Sequence, residues 1–348
     1  MGHIEINGRI SLAQFWPEGN SDADTTKILL KLNEDSFWFY PGGSAKPKNT
    51  QVFLNGMVKP ASGKSVNPVK FAGGPRQYIT LRLEGIDAPE LHYRFYDPAT
   101  IAKYKGIADF KKYNIDYRQY FSEIATEALA DMLKKYADSD NTVPAVFYSN
   151  NITHPGDVCD VYGRFVGYIL INNKKINVNQ WLLSQGFVFP SFYDSAQNSE
   201  ITTLTAIYDQ AKIKKNTMLT YYSDLRLPFD YGLVYRKKGK SDSANDVGKL
   251  ILPKLYRRLC CYSILSKAGV APPSFDDYLK SKKDDKLILA PDLKNFRKSA
   301  KKSKFSGLRN IIDIYKNDIL SVDPALIVFI EKGSKLIDPV SKNEILNF

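Results

Sequence analysis

The sequence predicts an α+β protein in which a small closed β-barrel comes first and helices follow. Three observations carry that expectation. Short, partly alternating apolar runs crowd the first ninety residues, an amphipathic helical pattern interrupts them, and two more strands lead into two more helices.

The early runs are "RISLAQFW", "TTKILLKL", "DSFWFY", "TQVFLNGMV" and "QYITLRLEGI", separated by Gly, Pro, Asn or Ser. Residues 41–75 are punctuated by "PGG", "KPKN", "ASGKS" and "AGGP", which reads as long hairpin loops and an insertion. A helix is expected over Ser122–Tyr136, where Ala125, Ala128, Leu129, Met132, Leu133 and Tyr136 share one face and Ser122 stands at the cap position. "VPAVFYSN" and "RFVGYILIN" are the next strands. "VNQWLLSQ" is a short helix capped by Asn177 and stopped at Gly186, where a left-handed residue is expected. A third helix, about 200–215, carries Ile201, Leu204, Tyr208 and Ala211 on one side.

Composition then shifts. Residues 231–246, including "RKKGKSDSAND", read as a linker, and 247–348 as a basic, mainly helical C-terminal domain. That domain is expected to hold a helix near 253–268 ended by Gly269, a lysine-dense stretch at 280–304 and a helix near 308–320.

The 348 residues, 43% hydrophobic and 25% charged, are enough for a large core and two domains. Net charge is +12, and from residue 230 onward 24 Lys and Arg face 14 Asp and Glu, against 25 and 23 before it. Such an asymmetry suits a polyanionic partner, nucleic acid ahead of anionic membrane, or a solvated surface. Cys159, Cys260 and Cys261 do not make a disulfide framework, which fits a reducing compartment. No secretory signal pattern opens the chain, and the most apolar late run, "ALIVFI", falls far short of a membrane span, so a cytoplasmic location is expected.

Chemistry concentrates in "ITLRLEGIDAPEL". A strand holding Arg82 gives way to Asp87 and Glu90, with Pro89 fixing the backbone between them. Carboxylates on a turn above a rigid strand are well placed for work on a phosphodiester: one to hold a hard cation, one to act as base, and a guanidinium for the developing oxyanion. A surface ion cluster is the alternative. In "DVYGRFVGYI", Gly163 permits a tight turn, Arg164 opens the next strand, and Tyr162 offers a hydroxyl and a flat ring. In "SDADTTK", Asp22 and Asp24 sit on a turn before a strand and offer oxygen ligands.

Together, "DADT", "RLEGIDAPE" and "YGR", in this order, resemble the staphylococcal nuclease family over roughly residues 10–222. The resemblance implies a five-stranded barrel of the OB type with three helices within residues 1–230, with insertions near 41–75 and 93–120. It implies a Ca²⁺-dependent endonuclease acting on DNA and RNA with little sequence preference and leaving 3′-phosphate ends. Asp24, Asp87 and the Ala88 backbone carbonyl would be metal ligands. Glu90 would be the general base, Arg82 and Arg164 would clamp the phosphate, and Tyr162 would contact it. Phe192 or Tyr193, in "FPSFYD", would take the base-stacking position. Ala23 stands where the family usually has glycine. The same barrel used only for binding nucleic acid or protein is the rival reading. The C-terminal domain is left open between a nucleic-acid tether and a regulatory docking module for a protein partner. Lys254, Arg257 and Arg258 form one helix face, either solvated or phosphate-tracking.

Overall fold

The computed structural model describes residues 1–30, 38–42, 46, 48–49, 57–59, 69–71, 77–95, 98–214, 217–222, 235–236, 248–283, 285–331, 334–338 and 340–346. Most of the insertion expected at 41–75 and most of the linker expected at 231–246 lie outside the described residues. The chain forms two compact units, and each is discontinuous in sequence: Met1–Glu84, Ala128–Leu182 and Glu331–Phe348 make the first, Gly85–Glu127 and Leu183–Ile330 the second.

The first unit holds a five-stranded β-barrel. Its strands are β1 (Gly2–Ser11), β2 (Thr25–Leu30), β3 (Gln77–Leu83), β4 (Thr142–Ile152) and β5 (Phe165–Ile171). Neighbours run in the order β4-β5-β3-β2-β1, and β1 pairs back onto β4 from Gly2 opposite Ile152 to Ser11 opposite Thr142, closing the ring. All neighbours are antiparallel except β3 and β5, where Phe165 lies parallel to Leu81.

Period-two patterning explains the closure. Ile4, Ile6 and Ile10 of β1, Ile28 and Leu30 of β2, Ile79, Leu81 and Leu83 of β3, Val143, Ala145 and Phe147 of β4, and Phe165, Ile169 and Ile171 of β5 are all buried. Each large apolar side chain so buried contributes about 1.5–3 kcal/mol. "RISLAQFW" is less regular than its pattern predicts: β1 stops at Ser11, and Leu12–Gln14 is a 3₁₀ turn.

The helices follow the apolar spacing. α1 (Ser122–Lys134) buries Ala125, Leu129, Met132 and Leu133. Ser122 is its first residue rather than its cap; Phe121, at φ 69°, precedes it and accepts the first helical bond from the Ala125 amide. α2 (Val178–Ser184) is capped by the Asn177 side chain, which accepts from the Gln180 amide at 3.1 Å, and Gly186 beyond it has φ 70°. α3 (Asn198–Ile213) buries the expected Ile201, Leu204, Tyr208 and Ala211.

The second unit corrects the expectation of a mainly helical C-terminal region, which contains helices and strands. α4 (Pro253–Lys267) is the predicted helix, and α5 (Phe275–Ser281) follows with Ser274 as its cap. A four-stranded sheet then forms, ordered β6 (Phe192–Tyr193), β9 (Ile327–Phe329), β7 (Lys286–Leu289), β8 (Arg309–Asn310). The helix expected at 308–320 is instead β8, a single turn at Ile311–Ile314, and a hairpin pairing Tyr315–Lys316 with Ile319–Leu320. The reason lies in the chain: Asn317 and Asp318 take positive φ of 50° and 63°, the requirement of a tight hairpin turn, which ends any helix there. In the two central strands, Leu287 and Ile288 of β7 and Ile327, Val328 and Phe329 of β9 are buried, as short continuous apolar runs allow for strands covered on both faces.

The insertion at 93–120 packs within the second unit. Phe95 and Phe110 are buried with ring centroids 6.2 Å apart, and Asn114 bonds both the amide and the carbonyl of Phe95. Tyr93 and Tyr117 bridge backbones, and the Tyr93 hydroxyl lies 3.0 Å from Sγ of Cys261 on α4. Arg118 and Glu123 form an ion pair with essentially no solvent exposure.

Candidate active site

In the first unit, strand register gathers the motif residues. Thr25 of β2 lies opposite Arg82 of β3, so Asp24, one residue earlier, meets the Arg82 side chain, and the Arg82 guanidinium forms an ion pair with the Asp24 carboxylate. The Leu83 amide also donates to the Asp24 carbonyl at 2.8 Å. β5 runs beside β3 with Val166 at the level of Arg82, which brings Arg164 to the same end of the barrel. There Arg164 donates to the Thr25 hydroxyl at 3.2 Å, and that hydroxyl donates to Asp24 at 3.0 Å. Arg82, Asp24, Thr25 and Arg164 are therefore one network of two cations about one buried carboxylate.

Arg164 is aimed by a residue that sequence reading missed. Asp160 accepts from the amides of Tyr162 and Arg164 at 2.8 and 3.0 Å through one oxygen, and from Nε of Arg164 at 2.7 Å through the other. The turn that lets one side chain do all three depends on Gly163, at φ 80°. An Asp two residues before a Tyr-Gly-Arg turn is the signal that identifies it. Tyr162 is 72% exposed, and the Arg164 guanidinium lies 5.4 Å from its ring centroid. Ala23 is buried and is not among the described residues with positive φ, so alanine fits this turn without backbone strain.

The second unit holds the carboxylates that follow β3. Gly85, at φ 77°, turns the chain, and Ile86–Asp87 pairs antiparallel with Phe189–Pro190. A Cβ on Gly85 would stand 2.4 Å from Cδ1 of Leu204 on α3. Gly85→Ala is therefore expected to cost about 1–2 kcal/mol for the left-handed backbone, with repacking added, read as a lower urea midpoint. Asp87 and Ala88 are buried. Glu90 is gripped through its backbone by Gln119: its amide donates to the Gln119 side chain at 3.2 Å, and its carbonyl accepts from the Gln119 amide at 2.8 Å. Gln119 in turn donates to the Ile251 carbonyl at 2.6 Å.

Arg257 of α4 completes this cluster. Its two terminal nitrogens lie 3.4 and 3.2 Å from the two Asp87 oxygens, and Nη1 also pairs with Glu90. Burial acts to lower the Arg257 pKa, and the charges of Asp87 and then Glu90 outweigh it, holding the group well above its ordinary value. Arg258 is bidentate on Asp285 at 2.5 and 2.6 Å. Lys254 lies 3.8 Å from the same carboxylate, and burial, helped by Arg258 and Arg257, brings it to about 8 against the pull of Asp285. Each of the three cations on the basic face of α4 thus meets a carboxylate within the second unit. Nothing local in the sequence reveals this, since Arg257 and Glu90 are 167 residues apart.

Phe192 is fully buried in the β6 strand, so it has no surface on which to stack a base, whereas Tyr193 beside it is half-buried. Cys159, Cys260 and Cys261 are buried, and burial pushes each thiol up, which suits packing rather than nucleophilic roles.

Asp24 and the Asp87–Ala88 pair offer hard oxygen donors of the kind that Ca²⁺ takes. Within neither unit do three described His, Cys, Asp or Glu side chains converge to hold a metal ion. Both aspartates are instead engaged by guanidinium groups. No helix among the described residues is long and apolar enough to cross a membrane.

Residues 80–219 match the family model described as Staphylococcal nuclease homologue. That span includes Arg82, Asp87, Ala88, Glu90, Tyr162, Arg164, Phe192 and Tyr193, and leaves Asp24 and Arg257 outside it. No curated protein matches the sequence.

Proposed function

Because residues 80–219 are an SNase-like domain, we propose that the chain is a Ca²⁺-dependent endonuclease that hydrolyses DNA and RNA with little sequence preference and leaves 3′-phosphate ends. The observation that carries this reading is the pairing register that puts two guanidinium groups, Arg82 and Arg164, on one network at one end of a barrel. The barrel's closed order, with its one parallel pair, supports reading it as an OB-type fold, whose surface commonly receives oligonucleotides.

Arg82 and Arg164 bind the scissile phosphate and stabilise the charge that accumulates on its equatorial oxygens. Glu90 accepts a proton from the water that attacks phosphorus, and the 5′-oxygen leaves. Tyr162, largely exposed beside Arg164, meets the phosphate backbone, and Tyr193 offers the stacking ring. Asp160 fixes the Arg164 guanidinium before substrate arrives, and Gln119 holds the backbone from which the Glu90 carboxylate projects. A bound Ca²⁺, held by Asp24, Asp87 and the Ala88 carbonyl, would supply Lewis-acid charge to the phosphate. A cytoplasmic setting and a nucleic-acid partner form part of this reading.

A plasmid-nicking assay on the full chain checks it. Nicking with Ca²⁺ and none with chelator is expected, with activity falling steeply as salt rises, because contacts to phosphate dominate. Equal nicking in both conditions, or nucleic-acid binding with no cleavage in either, discards the catalytic reading. The second outcome favours the rival, a binding module on the same barrel, and the guanidinium partners on Asp24 and Asp87 are the observation on its side.

A further inference from the structure

Resting on the assignment of Asp87 and Glu90 to cation binding and base catalysis, we propose that Arg257 is a resident counter-cation that competes with the metal ion for these carboxylates, so that the C-terminal region sets the cation affinity of the site. The geometry argues for competition rather than support. Asp87 is almost fully buried, and its two oxygens each face a different terminal nitrogen of the same guanidinium. An inner-sphere cation needs one of those oxygens, and a divalent ion and a guanidinium within a few ångströms of each other repel strongly where water is scarce.

Two carboxylates this close also demand compensating positive charge, and Arg257 supplies it, pairing with Glu90 as well as Asp87. Lys254 also feels the charge of Asp87, but the ion pairs of the neighbouring cations go to Asp285. Arg258 is committed bidentately to Asp285, and Lys254 lies nearest the same residue. Arg257 has a way out: its side chain keeps 27% exposure, enough to swing toward solvent when displaced. The motif carboxylates thus answer to a residue outside the stretch that matches the nuclease family.

Isothermal titration of the full chain with CaCl₂ alone tests this. Arg257→Gln keeps the stem and a hydrogen-bonding end while removing the charge, and it is expected to lower the Kd for Ca²⁺ by about tenfold or more. The Ca²⁺ concentration that half-saturates nicking should fall by the same factor. In the unsubstituted protein, Ca²⁺ should shift the Arg257 Nε–H resonance as the side chain leaves its carboxylates. Arg257→Lys, which keeps the charge without the bidentate fork, is expected to fall between the two and decides the matter if the glutamine variant does not fold. An unchanged or raised Kd in the folded variant overturns the proposal. If Glu90→Gln abolishes nicking while Arg257→Gln leaves the Kd unchanged, only this inference falls. If no form binds Ca²⁺, the nuclease reading falls and takes the inference with it.

Discussion

Glu90→Gln is expected to lower the rate of phosphodiester cleavage by about 10²–10⁴-fold, the range over which a positioned general base contributes. The substitution is nearly isosteric, and the residue's backbone is held on both sides by Gln119, so the fold around position 90 should persist. Removing the charge also removes half of what Arg257 pairs with, and a single-turnover rate measured at saturating Ca²⁺ separates loss of the base from altered cation binding. A single-turnover rate within about threefold of the parent would exclude Glu90 as the base, because that is far below the contribution of a general base.

The largest effect on stability is expected at Arg118 and Glu123. Both side chains are essentially free of solvent, and the Ser122 hydroxyl donates to the Glu123 carboxylate at 3.0 Å. Glu123→Gln leaves the arginine charge buried without its counter-charge, which typically costs about 3–5 kcal/mol. Replacing both, Arg118→Met with Glu123→Leu, is expected to recover most of that loss, since the charges then no longer need solvation. Urea unfolding followed by circular dichroism reads both. A single variant within about 1 kcal/mol of the parent would show that water or rearrangement satisfies the arginine.

Much of the barrel was legible because its strands alternate: Ile79, Leu81 and Leu83 point inward, and Arg82 between them points out, as the period of two requires. The α3 face was legible for the same reason at a helical period. Residues 308–320 were not, because a short apolar run such as "IIDIYKNDIL" satisfies helix and hairpin templates alike, and two consecutive positive-φ residues decided it. At the candidate site, the motif residues Arg82, Asp87, Glu90 and Arg164 were readable as residue types. Asp160 was within reach of a local rule, since it acts within its own turn. Gln119 and Arg257 act across sequence separations of 29 and 167 residues, and no periodicity or spacing rule operates over such gaps.

The parallel pairing of Phe192–Tyr193 with Val328–Phe329 has a consequence for the time course of synthesis. A nascent chain that has just passed the second carboxylate still lacks the strand that pairs with β6 and the helix whose arginine neutralises Asp87. At roughly 5–20 residues per second, another 167 residues means about 10–30 s before Arg257 emerges, and β9 comes later still. The carboxylates are thus made well before their counter-charge. A chain cut short near residue 245 would lack both Arg257 and the strand that pairs with β6, and would display that unpaired strand edge.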